Sequence, residues 1–176
     1  MSDDTAVGTA TRSGANSAAR NDDPTWVPIL RVAGVQLGLI AIALHLYWGL
    51  PRAVVYLRAG TFADPRPYLF VVSGVALAVA LLALYAVPER VSARAVYAFA
   101  VAVLAVWIAG YVWWHLGGHG GAIPGVKGYG HPDLANLDIL LSDQHLFKPF
   151  DLATNATGAG ALVAFGTLLG WELRSD

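Results

Sequence analysis

Five histidines carry the widest chemical repertoire in this chain: His45, His115, His119, His131 and His145. A neutral imidazole offers one nitrogen as a donor and the other as a lone pair. It can therefore hold a proton, a hydrogen bond or a first-row metal ion. His115 and His119 stand four residues apart, a spacing that shares one helical face, but Gly117 and Gly118 lie between them and favour a helix stop. Asp64, Asp133, Asp138, Asp143 and Asp151 supply carboxylates that would complete a metal shell. The set predicts a metal site at His45, His115, His119, His131 and His145, with copper, zinc or haem as the candidate cofactor.

In the haem version, His45 and His115 are axial ligands from facing helices. Depth speaks against that version. His45 reads as about six residues, roughly 9 Å, inside its helix end, and His115 as almost at the boundary. No zincin or zinc-finger spacing is present. The competing reading is structural: a histidine near a helix end, in a belt of Trp and Tyr, serves as an interfacial hydrogen-bonding group. Of the five, His45 is the strongest single candidate, because an ionisable side chain inside an apolar span marks function by default. Trp107, Tyr111 and Trp114 read as packing between helices rather than as a cradle for a ring ligand.

Other chemistry is excluded or unsupported. The chain has no cysteine, so disulfides, iron–sulfur clusters and thiolate sites are absent. The net charge is −1 without a basic patch, which argues against nucleic acid as a partner. Ser73 and Ser142 lack a nucleophile-elbow context, and no phosphate-binding loop occurs. No Asp, Glu, Lys or Arg falls deep within an apolar window, so the relay of an ion-coupled transporter or proton pump is missing. The expectation is a non-catalytic protein.

These side chains must be positioned by elements that suit a bilayer. Of 176 residues, 56% are hydrophobic and only 13% charged. A soluble domain carries about a quarter charged residues. The charges crowd between four long apolar windows, the pattern of a polytopic membrane protein. The predicted spans are residues 28–50, 67–87, 95–116 and 152–172. Twenty residues at about 1.5 Å each cross a hydrocarbon core of about 30 Å.

Residues 1–24 are small and polar and read as a disordered tail preceding a membrane domain over 25–176. Residues 51–66 read as a connection, with a short interfacial helix among Arg52, Arg58 and Arg66. Residues 117–151 form the longest connection. Leu134, Leu137 and Leu141 at helical spacing there predict an interfacial helix over about 133–141. Gly34 and Gly38, Gly166 and Gly170, and the alanines at 98, 102, 105 and 109 form faces for close helix approach. Gln36 points roughly opposite the first of these faces and is expected to bond a neighbouring helix.

The predicted architecture is therefore an all-α, four-transmembrane-helix antiparallel bundle. Such a topology has one consequence: all five histidines fall on one membrane side. The Lys and Arg count does not fix orientation, and the long Gly/His connection reads better as external, with both termini cytoplasmic. The expected partners are the lipid bilayer and either a second copy or a membrane-complex subunit. The function these features predict is a non-catalytic subunit or binding protein with a histidine-lined face. The alternative is a haem- or copper-binding redox subunit using His45 and His115.

Overall fold

The structure, a computed structural model, describes residues 23–62, 64–116 and 148–175. Among them are four α-helices and no strand: α1 (Trp26–Arg58), α2 (Arg66–Ala86), α3 (Ala93–Leu116) and α4 (Pro149–Glu172). All four are long and apolar enough to cross a membrane. The expected tail over 1–24 falls almost wholly outside the described residues, as do His119, His131, His145 and the expected helix over 133–141.

The first helix departs most from the sequence reading. It does not end near Leu50 but continues through Pro51 to Arg58, so the connection to α2 spans only residues 59–65. A proline inside a helix costs one backbone hydrogen bond and a clash with the preceding turn, about 3 kcal/mol. The helix persists nonetheless, and Ala53 is buried at four-residue spacing after His45 and Gly49, so the core stripe of α1 runs unbroken past the proline. Gln36 also departs from expectation: it is exposed on the outer surface rather than bonded to a neighbouring helix.

The helices pack in a cyclic order. α1 lies against α2 and α4, and α3 lies against α2 and α4; α1 and α3 stand diagonally across the centre. In each adjacent pair, residue numbers rise along one helix as they fall along the other. Trp26 meets Trp171, Leu37 meets Gly160, and Tyr47 meets Phe150 along α1 and α4. Gly38 meets Leu81 and Gly49 meets Pro67 along α1 and α2.

Glycine explains why α1 and α4 approach so closely. A Cβ on Gly34 would lie 3.1 Å from the Ala164 Cβ, and one on Gly38 would lie 3.4 Å from the Phe165 ring. The Gly34/Gly38 face read from the sequence is thus the groove that receives Phe165. On its other side Phe165 stacks on Tyr97 of α3, with centroids 5.9 Å apart. A single aromatic ring therefore fills the centre of this layer and touches both diagonal partners.

Beyond that layer lies a charged end. Arg31 pairs with Asp23 at 3.3 Å and with Glu172 at 3.2 Å, while Arg94 donates to the Glu172 carbonyl at 3.0 Å. This end ties α1, α3 and α4 together with groups of opposite sign.

Candidate functional site

The opposite end holds His45 and His115. His45 lies on the buried stripe of α1, four residues after Ala41, and is only 7% exposed. It is the one polar or charged residue among the buried side chains described. Its Nδ1 donates to the Ala41 carbonyl at 2.8 Å. A carbonyl can only accept, so in the neutral ring Nδ1 carries the proton and Nε2 keeps its lone pair. No hydrogen bond to Nε2 occurs among the described residues.

Aromatic rings clamp this imidazole. Trp107 of α3 stacks on it with centroids 3.8 Å apart and planes at 20°, and Phe70 of α2 meets it edge-on at 4.7 Å. The His45–Trp107 stack crosses the diagonal between helices that are otherwise not neighbours. Trp107 is itself fixed: its indole N–H donates to the Ser73 hydroxyl at 2.8 Å, and that hydroxyl donates to the Leu69 carbonyl. Ser73 is thereby committed to orienting Trp107, which agrees with its lack of a nucleophile context.

His115 sits two turns further along α3. Its Nδ1 donates to the Tyr111 carbonyl at 2.7 Å, and its ring lies 4.1 Å from the Tyr111 ring. Eight residues separate Trp107, which marks the level of His45, from His115, a rise of about 12 Å. Both axial nitrogens of one haem must lie within about 2 Å of the iron, so this arrangement does not bring His45 and His115 to a common metal. Among the described residues, no three His, Asp or Glu side chains converge as a metal-binding group.

Other polar groups gather near His115. The Tyr111 hydroxyl is buried and no side chain meets it with good hydrogen-bond geometry, although the Asn155 amide, turned to its own helix, lies close enough to interact with it and Asp151 stands nearby. The Asn155 amide N–H is turned to the Asp151 carbonyl at 2.9 Å, and Thr154 and Thr157 likewise donate to carbonyls of their own helix. At the rim, Arg66 is held by Asp64 at 2.7 Å, lies 3.4 Å over the Trp114 ring and faces Trp48 at 5.4 Å. Arg66 thus joins α1, α2 and α3 through one planar cation. Arg52 folds back over Trp48 at 4.2 Å and donates to its carbonyl.

Sequence reasoning singled out His45 and His115 but missed the unpaired Tyr111 hydroxyl and its α4 neighbours. The four-residue spacing of Trp107, Tyr111 and His115 was visible, and so was the polar start of α4. Their juxtaposition depends on the register of α3 against α4, which neither segment encodes alone. No protein-family model matches the chain, and neither a curated protein nor a solved structure matches it.

Proposed function

We propose that the chain is a multi-pass membrane protein whose four helices cross the bilayer as an antiparallel bundle. In this reading it acts without catalysing a reaction, as a binding subunit that holds its ligand in the histidine-bearing half. The observation that carries the reading is His45. It is buried within a candidate span, its Nδ1 is committed to the Ala41 carbonyl, and among the described residues its Nε2 has no partner. A histidine whose second nitrogen is anchored by a carbonyl has its ring orientation and tautomer set for a ligand on the first. An ionisable side chain kept inside an apolar span is costly and marks a site.

The outer surface supports insertion. Ile29 is 69% exposed, and Val72, Val106 and Val163 are each 68% exposed, a distribution suited to lipid and not to water. With an even number of spans, both termini share a side. We assign that side to the cytoplasm and the Gly/His connection to the exterior.

The test compares wild type with His45→Phe, which keeps an aromatic ring in the stack and removes Nε2. Both are purified from their membranes in detergent. Elemental analysis, visible absorbance and mass spectrometry of an organic extract then report metal, haem and organic ligand. The expected outcome is a co-purifying ligand that falls at least about tenfold in the variant, equivalent to the loss of one good contact, with thermal stability retained. Equal ligand content in the two proteins, or a ligand-free wild type of full stability, overturns the reading.

A further inference from the structure

We propose that the interior space at Gly158, between α1, α3 and α4, seats an aromatic ring bearing hydroxyl groups, the headgroup class of a lipophilic quinol. This rests on the reading that His45 holds a ligand, and it names the chemistry of that ligand. Three observations meet at this place.

The first is a glycine without a neighbour. Gly158 is buried and belongs to the core stripe of α4 with Ala161, Phe165 and Leu168. Yet among the described residues a Cβ built on it would meet nothing within 4 Å. Elsewhere in the core, glycine marks tight approach: the corresponding contacts are 3.1 Å at Gly34, 3.1 Å at Gly49, 3.3 Å at Gly74 and 3.0 Å at Gly160. Gly158 therefore differs from these, since no facing side chain among the described residues explains its missing Cβ; the other open helical glycines, Gly110, Gly166 and Gly170, are not buried.

The second is the layer below. Phe165 follows Gly158 by seven residues, nearly the same direction on the helix and about 10 Å along it. There the Phe165 ring lies between Gly34 and Gly38 of α1 and Tyr97 of α3. The same step of seven residues, toward the histidine end, brings Ala41 and His45 of α1 and Leu104 of α3 to the equivalent places. Those residues are buried, so the walls of a ring-holding layer are repeated, but α4 contributes only a hydrogen.

The third is a pair of unspent polar atoms at that end. Among the described residues no donor reaches the His45 Nε2 lone pair, and the buried Tyr111 hydroxyl has no acceptor. Leaving the buried Tyr111 hydroxyl unpaired in an apolar interior is costly, and a ligand hydroxyl, which both donates and accepts, would pair with it or with the lone pair of His45 Nε2. A quinol carries a hydroxyl at each end of a flat ring. One donates to Nε2, the other accepts from Tyr111, and the ring faces are met by apolar walls and the fixed indole of Trp107. No electron transfer is part of this proposal.

The test titrates the detergent-solubilised protein with menadiol under argon, following tryptophan fluorescence, with 2-methylnaphthalene and Zn²⁺ as separate probes. Menadiol is expected to quench saturably, and 2-methylnaphthalene, which lacks the hydroxyls, to bind at least about tenfold more weakly. Tyr111→Phe and His45→Phe should each raise the menadiol Kd by about tenfold or more. Gly158→Leu should abolish saturable quenching while thermal unfolding stays intact. If that variant fails to fold, Gly158→Ala, which adds one methyl where no atom stands within 4 Å, takes its place with a smaller loss. Unchanged menadiol binding in the folded Gly158 variant, or quenching that never saturates, overturns the proposal. If Zn²⁺ binds in a His45-dependent way and menadiol does not, the quinol assignment falls while the reading of His45 as a ligand-holding residue survives. If neither binds, both fall.

Discussion

The two ends of this helical assembly solve the same packing problem by different means. At the Glu172 end charged groups meet one another: Arg31, Asp23, Glu172 and Arg94 form a web of ion pairs and hydrogen bonds, with the buried Arg31 Nε left unpaired, and Phe165 fills the adjoining layer. At the His45 end aromatic rings take the place of ion pairs, the buried Tyr111 hydroxyl has no hydrogen bond, and none reaches His45 Nε2 among the described residues. The contrast lies in what joins the helices: ion pairs and a filled layer at one end, aromatic stacks and an open layer at Gly158 at the other.

Substitutions can break or sharpen this contrast. The largest effect is expected at Phe165→Ala, which empties the centre of the closed layer and should cost about 3 kcal/mol or more, read by thermal or denaturant unfolding in detergent. Gly34→Ala comes next: its new methyl meets the Ala164 Cβ at 3.1 Å, and both backbones must shift, at a cost of about 1–3 kcal/mol in the same assay. Glu172→Gln removes the charge opposite Arg31, and its loss should be about 1 kcal/mol, diminishing at high salt. Gly158→Ala is the smallest effect and carries the opposite sign. With no atom to strike, it should stabilise α4 by up to about 1 kcal/mol through helix propensity. If Gly158→Ala destabilised the fold as much as Gly34→Ala, the two layers would be equally closed and the contrast would collapse.

The sequence reading succeeded where one helix sufficed. The four apolar windows are visible because charges are absent from them, and the Gly34/Gly38 face is visible because two small residues recur at four-residue spacing. His45 follows Gly38 by seven residues and so falls on nearly the same face. What could not be read was the identity of each partner. That Phe165 fills the Gly34/Gly38 groove, or that Trp107 stacks on His45 across the diagonal, follows from how α3 and α4 slide against α1. Local rules misled at Pro51, where the intrinsic preference to stop the helix is overridden by a core stripe that continues to Ala53. They misled again at Gln36, whose polarity suggested a buried partner and whose position on α1 points outward.

The cyclic order of the helices also sets a timetable. The first helix makes its tightest contacts with the last, and Arg31 and Glu172 are separated by 141 residues. At a synthesis rate of about 5–20 residues per second, roughly 7–28 s pass between the two. Throughout that interval the glycine groove of α1 waits for Phe165. A chaperone or insertase that shields nascent helices would therefore meet the Gly34/Gly38 groove as a long-lived client surface.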